Sequence, residues 1–252
     1  MVNRQKASPL FVGGQIGYRH LVHQCESMSA EERRFLGSSQ QNENVAYAKG
    51  STIIQQDIEQ THVVVILSGV VQLLDMGYPR APHLGFLGAG DVPEIITAVC
   101  GMPASFRIDA VTDCYVAMID AQYFHDAMHI SRALMVNTVG HAVIREERVK
   151  EWRLLCETGR PDQVLARFIS EADATLNFDS SAGMPRVPIL DSFTARAVHT
   201  GMEQSSINRI LNRWQGAGIL TKDRHGIVIA APLALGRLSP GGPHPFSLGP
   251  GF

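Results

Sequence analysis

Residues 201–220 read Gly201-Met202-Glu203-Gln204-Ser205-Ser206-Ile207-Asn208-Arg209-Ile210-Leu211-Asn212-Arg213-Trp214-Gln215-Gly216-Ala217-Gly218-Ile219-Leu220. Ile207, Ile210, Leu211 and Trp214 recur three or four residues apart, the spacing of an apolar stripe on a helix from Glu203 to Gln215. The other face carries Gln204, Ser205, Asn208, Arg209, Asn212 and Arg213. Amides, hydroxyls and guanidinium groups are what base edges and phosphates require of a protein surface. Phe193 to Thr200 has the length of a two-turn helix, and Gly201 supplies the positive φ that a sharp turn between two helices needs. Downstream, Ile219 to Thr221, the polar turn Lys222 to Gly226, and Ile227 to Ile229 read as strand, turn and strand. A helix-turn-helix followed by a hairpin is a winged helix. Between Arg186 and Ala230 six bases face three acids, a local excess of three positive charges in a chain whose net charge is −2. Nucleic-acid binding would therefore rest on a local patch. The alternative is a winged helix used only for protein contacts.

Upstream, Thr158-Gly159-Arg160-Pro161 is a break, with glycine ending one helix and proline opening the next. Pro161 to Ala174 predicts an amphipathic helix, with Val164, Leu165, Phe168 and Ile169 on its apolar face, and Leu176 to Pro188 reads as a loop. Ser131 to Cys156 is a long helix of ~39 Å at 1.5 Å per residue. Its stripe of Leu134, Thr138, His141, Arg145, Val149 and Trp152, flanked by Met135, Ala142 and Cys156, suits a dimer seam or packing against the chain's own barrel. Ala121 to Met128 predicts a short helix, and Ser29 with Glu32 a capping box near the N-terminus. From Val45 to Asp120, β-branched runs at Val63–Leu67 and Val70–Leu74, then Phe106–Ala110 and Tyr115–Ile119, alternate with glycine-rich turns and no helix. That pattern predicts a barrel, sandwich or roll.

The fold class is accordingly α+β: a β-roll domain over 1–130, a dimerisation helix over 131–158, a winged helix-turn-helix over 159–236 and a disordered tail over 237–252. Apolar residues make up 45%, enough for a real core. Cys25, Cys100, Cys114 and Cys156 form no C-x-x-C pair, so neither a zinc site nor a disulfide framework is expected. No signal pattern or membrane-length apolar run occurs, which makes the cytoplasm the default location and leaves no membrane partner. No catalytic triad or paired-carboxylate signature stands out, so the chain reads as a non-enzyme. A cupin-like small-molecule binder is the rival class, but His62 and His83 lack the H-x-H pairing it would need.

The sequence resembles the family of the catabolite activator protein and the fumarate–nitrate regulators along nearly its whole length. Gly201 through Arg209, Leu211 and Trp214 to Gly218-Ile219 matches the family pattern Gly-Leu-Thr-x-x-Thr-Val-Ser-Arg-x-Leu followed by Gly-Leu-Ile. Leu67-Ser68-Gly69-Val70-Val71 is similar to its Leu-x-Gly-x-Val, and Gly88-Ala89-Gly90-Asp91 to its Gly-x-Gly-Asp turn. The resemblance implies a cyclic-nucleotide-binding-like β-roll, a long dimer helix and a winged helix that reads a palindromic operator in duplex DNA as a homodimer, with RNA polymerase a further partner. Such a dimer docks its second helices into major grooves one turn apart, the worked example of the general docking rule. It implies base reading by Gln204, Ser205 and Arg209 and a phosphate contact at Ser206. Asn208, Arg213, Lys222 and Arg224 complete the expected DNA-binding set. Glu203 replaces a small hydroxyl residue and is expected to cap the recognition helix.

For an effector, the resemblance implies a pocket at Glu94, Ser105 and Arg107. Relatives that bind cyclic AMP carry an Arg-Ser pair for the phosphate, but here Ala104 precedes Ser105. Arg107 lies on the opposite face of a regular strand and could stand in only through a bulge. Cyclic AMP binding in the family manner is therefore not expected, no iron–sulfur cluster is expected because Cys25 stands alone near the N-terminus, and no metal site or other cofactor is identified. A constitutive regulator with a ligand-free roll is the alternative. Cys156, at the end of the long helix, reads as a core residue or, less simply, as a redox-sensitive thiol.

Overall fold

The computed structural model describes residues 3–6, 42–78, 80, 82–176, 186–188, 197–223 and 226–239. The expected capping box at Ser29, Cys25, Arg224 and residues 240–252 lie outside these. The chain divides into two compact units, Met1–Leu74 with Leu87–Glu147, and Asp75–Phe86 with Arg148–Phe252.

The first unit is built on two antiparallel sheets. One contains β1 (Asn3–Lys6), β2 (Asn42–Tyr47), β4 (His62–Ser68) and β8 (Cys114–Asp120) in the order β1-β2-β8-β4. The other runs β3 (Thr52–Ile54), β7 (Arg107–Ala110), β5 (Val71–Leu74). On β4, Val63 and Val65 join a core cluster with Ala117, Ile119, Val92 and Ile95, while Val64 and Ile66 on the opposite face are also buried. Burial on both faces is why this run is continuously apolar rather than alternating. The β4–β5 turn rests on Gly69, whose φ is +91° and whose missing Cβ would stand 2.4 Å from the Asp113 carbonyl oxygen. The Gly88–Asp91 turn closes on its own side chain, with the Gly88 amide donating to Asp91 Oδ2 at 2.7 Å.

The β region is not free of helices. Ile95–Val99 forms α1, buried through Ile95, Thr97 and Ala98. A five-residue helix is too short to show a 3.6-residue period, so the sequence hid it. Next, α2 (Ala121–Ile130) is capped by Asp120, which accepts from the Tyr123 amide at 2.9 Å. Then α3 (Arg132–Thr158) runs for 27 residues. Four of the six residues of its predicted stripe are buried within the chain, and His141 and Arg145 are half-buried. Leu134 and Thr138 are buried in the first unit, and Val149 and Trp152 in the second. The apolar side chains left exposed are Met135, Val136, Val139, Val143 and Leu154, on a different face.

The second unit contains α4 (Pro161–Leu176), α5 (Gln204–Gly216), α6 (Pro232–Leu238), and a three-stranded sheet of β9 (Arg186–Pro188), β10 (Leu220–Asp223) and β11 (Gly226–Ile229) in the order β10-β11-β9. Strand β6 (His83–Leu87) brings His83 and Phe86 into this unit. Fully buried Trp152, Leu165, Phe168, Ile169, Ile207, Leu211, Leu220 and Ile227 form its core. Three expectations change here. Residues 186–188 are a strand rather than loop, because they add a third strand to the hairpin. The region expected to be a disordered tail from 237 begins inside α6, which ends at Leu238, and Ser239 is buried. Gly159 ends α3 without a left-handed backbone; it is needed because a Cβ would lie 2.4 Å from the Leu155 carbonyl oxygen. Among the described residues no helix is long and apolar enough to cross a membrane.

Candidate nucleic-acid interface

The sequence leading into α5 adopts the turn its glycine permits. Ala197 and the single tight turn Val198–Thr200 are helical, and residues 193–196 lie outside the described chain. Thr200 closes this turn, its hydroxyl donating to the Ala197 carbonyl at 2.6 Å. Gly201 follows at φ +84°, and Met202 is buried beneath it. Glu203 takes the N-cap position with extended backbone, and its carbonyl accepts from the Ile207 amide at 3.0 Å. Its carboxylate makes no capping hydrogen bond, contrary to expectation; it accepts from the Ser205 hydroxyl at 3.3 Å. An extended carboxylate reaches past the amides that a shorter Ser or Asp cap satisfies.

α5 buries Ile207, Ile210, Leu211 and Trp214. At ~1.5–3 kcal/mol per fully buried large apolar side chain, this face fixes the helix's rotation against the unit. The opposite face is then fixed too. Gln204, Ser205, Asn208, Arg209, Asn212 and Arg213 are exposed and Ser206 is half-buried. Ser205, Asn208, Arg209 and Asn212 share one surface at three- and four-residue spacing. Among the described residues Arg209 is tied down only by a long 3.5 Å contact from Nη2 to the Ser206 hydroxyl, and it is exposed.

The flanking cations are held. Lys222, on β10, donates from Nζ to Asn212 Oδ1 at 3.0 Å, and partial burial lowers its pKa. Arg213 lies 3.9 Å from Asp162 Oδ2, an acid in the first turn of α4 that Arg160 also approaches at 3.4 Å. Sequence reading gave Asn212 a place on the polar face but missed both links. Neither has a local signal, since Asp162 and Arg213 meet only after α4 packs on α5. Arg224, the remaining member of the expected set, lies outside the described residues.

The expected effector residues are in the first unit. Glu94 is buried with a left-handed backbone, φ 53°, an unusual conformation for a non-glycine residue. Its Oε2 accepts from the Thr97 hydroxyl at 2.9 Å and from the Ser105 amide at 2.8 Å, so the structure brings Glu94 and Ser105 together. Burial pushes the Glu94 pKa up, opposed by the Ser105 amide, the Thr97 hydroxyl and the Arg145 guanidinium. Arg107 is engaged elsewhere: its Nε donates to Asp109 Oδ1 at 2.8 Å. The β5–β7 register is regular from Leu74↔Arg107 to Val71↔Ala110, but the strand begins only at Arg107 and residues 105–106 form a bend, so the strand alternation expected between Ala104 and Arg107 does not apply. Ala104 is 1% exposed, and its amide and carbonyl are taken by Ile58 and Asp57 of the neighbouring loop. Among the described residues no group of three His, Cys, Asp or Glu side chains is placed to hold a metal ion. The Cys156 pKa is pushed up to about 11, first by burial and then by Glu157.

Residues 44–131 match the cyclic nucleotide-binding domain family. No curated protein matches the chain by sequence. Solved structures match its fold. FixK2 from Bradyrhizobium japonicum aligns with a TM-score of 0.66 at 19% identity, over 78% of this chain and 96% of that one. A CRP/FNR-family transcriptional regulator from Thermus thermophilus aligns at 0.61 and 14% identity, over 78% and 97%. The c-di-GMP-responsive global regulator CLP of Xanthomonas campestris aligns at 0.58 and 11% identity, over 75% and 94%. The protein thus combines a cyclic-nucleotide-binding-type roll with the α+β fold of CRP/FNR transcription regulators.

Proposed function

We propose that the chain is a sequence-specific DNA-binding transcription regulator of the CRP/FNR type. It binds a palindromic operator as a cytoplasmic homodimer and is not controlled by cyclic AMP in the family manner. The observation that carries this reading is the fixed orientation of α5. Its apolar residues are all buried, which leaves Gln204, Ser205, Asn208 and Arg209 exposed as one surface. In this reading α5 is the second helix of a winged helix-turn-helix and enters the major groove. Lys222 contacts phosphate beside it. The exposed Val136, Val139 and Val143 of α3, three and four residues apart, form the dimer seam. The β-roll is the sensor domain, and RNA polymerase is the partner through which DNA binding acts.

The second reading, a constitutive regulator, draws on the Glu94 region. The residues that would hold a ribose and a cyclic phosphate are occupied by internal hydrogen bonds or replaced by Ala104. The test is selection of purified protein against random duplexes, without ligand and with cyclic AMP or cyclic di-GMP. A palindromic site enriched without ligand supports constitutive binding. Enrichment only with cyclic AMP overturns the reading of Ala104, and no enrichment in any arm counts against DNA recognition by α5. Arg209→Ala should weaken the selected site by about 1–3 kcal/mol and relax preference at one position. An unchanged binding profile for that variant refutes base reading by Arg209.

A further inference from the structure

In the first unit, α2 carries two histidines four residues apart, His125 and His129. The helix is pinned by its other face. Phe124 and Ala127 are buried in the core cluster, with Tyr123 and Met128 packed against it. Helical spacing then turns residues 125 and 129 outward together. His129 is exposed, and the His125 side chain is 42% exposed. The two ring centroids lie 4.6 Å apart. His125 Nδ1 is buried and has no hydrogen-bond partner among the described residues, so the exposed part of this ring lies elsewhere and Nε2 is its ligating nitrogen. Asp126 Oδ1 lies 3.5 Å from that Nδ1 and accepts from the Gln122 amide at 2.9 Å.

Two histidines at i and i+4 on one helix face have the spacing by which helices hold a metal ion between imidazoles. With metal–nitrogen bonds of ~2.1 Å, two imidazoles on one ion place their ring centres roughly 4.5–5 Å apart. The separation of His125 and His129 falls in that range. Imidazole nitrogen suits first-row transition ions, whereas Mg²⁺ and Ca²⁺ take oxygen ligands. We propose that His125 and His129 form a two-histidine site for a divalent transition-metal ion of the Ni²⁺, Cu²⁺ or Zn²⁺ class. Rotation about the soft χ2 of each ring brings the two Nε2 atoms onto one ion without backbone movement. Asp126 steadies the His125 ring from its Nδ1 side, as carboxylates do for ligating imidazoles. Among the described residues no third His, Cys, Asp or Glu joins the pair, so water completes the coordination. The ion ties together the last turns of α2, just ahead of α3. It uses no residue of α5 or of the Glu94 region.

The chain has ten histidines, so the test is one that resolves them. Carbon–proton NMR spectra of the histidine rings are recorded on the full chain as Ni²⁺ is added, and the spectra of His125→Gln and His129→Gln assign the two signals. Paramagnetic Ni²⁺ should broaden the His125 and His129 signals together, below millimolar concentration. Either variant should weaken binding to the remaining histidine at least about tenfold, because a chelate is reduced to a single imidazole. A roughly hundredfold excess of Mg²⁺ should not displace the Ni²⁺. Circular dichroism checks that both variants fold. Persistence of both signals up to about 1 mM Ni²⁺ overturns the proposal, since even weak binding would be detected. So does displacement by Mg²⁺. Broadening of one histidine that is unchanged when the other is replaced means an adventitious ion only, and overturns it as well.

Discussion

His83 should set a lower pH limit on the stability of the second unit. Its ring is fully buried, with centroids 4.9 Å from Phe86, 4.4 Å from Trp152 and 4.7 Å from Phe168. Burial, helped by the charge of His199, holds its pKa well below the ordinary histidine value. An unfolded chain takes up this proton near pH 6.5 while the folded one refuses it, so stability rises with pH across this window. The contribution is full above about pH 6.5 and declines by up to ~1.4 kcal/mol per unit below it, until the folded pKa is reached. By about pH 5.5 the loss should be ~1.4 kcal/mol. His83→Phe removes the titration and keeps an aromatic ring in the cluster; overpacking adds a cost of ~1–3 kcal/mol that does not vary with pH. Both tryptophans of the chain, Trp152 and Trp214, lie in this unit, so fluorescence-detected urea unfolding reports on it. Between about pH 8 and pH 5.5 the unaltered protein should lose ~1.4 kcal/mol more than the variant. Identical pH dependence for the two would refute the assignment of a neutral, proton-excluding His83.

Other expectations follow from single contacts. Gly69→Ala should destabilise the first unit by at least ~2 kcal/mol in chemical unfolding, because strain at positive φ adds to a clash with the Asp113 carbonyl. Gly50→Ala, at φ +85° but with open space around its Cβ, should cost only ~1–2 kcal/mol, and an equal loss at both sites would refute the clash. Iodoacetamide at neutral pH should label exposed Cys100 well before Cys156, whose pKa of about 11 leaves roughly one thiolate in ten thousand. Peptide mapping showing Cys156 labelled first would restore the redox-sensor reading. Lys222→Met should weaken operator binding and reduce the salt dependence by about one counterion, and an unaltered slope would remove Lys222 from the phosphate contacts.

Local periodicity made most elements legible. Val63–Leu67 and Tyr115–Ile119 lie within β4 and β8, and the Ile207–Trp214 spacing defines α5, because each element buries a face whose period appears in the sequence. Elements with little period of their own were missed. α1 is one turn and a half, and β9 is a three-residue strand that exists only because β11 offers an edge. The long helix shows a subtler limit. Its length was plain, but two apolar stripes compete along it, and the sequence does not say which one the chain itself will bury.

The sequence by itself determined which residues of α5 point away from the core, since helical spacing fixes their relative angles whatever the helix packs against. That Ala104 stands where relatives carry a phosphate-binding arginine is what the family resemblance implies, not what the residues alone determine. Only the tertiary structure decided where the charges go. Glu94 is committed to the Ser105 amide, Arg213 faces Asp162, Lys222 reaches Asn212, and Arg148 lines a groove with its Nε unsatisfied among the described residues. The physical reason is range. Secondary structure follows from neighbours three or four positions away, whereas a long charged side chain finds its partner only among residues that packing brings within a few ångströms.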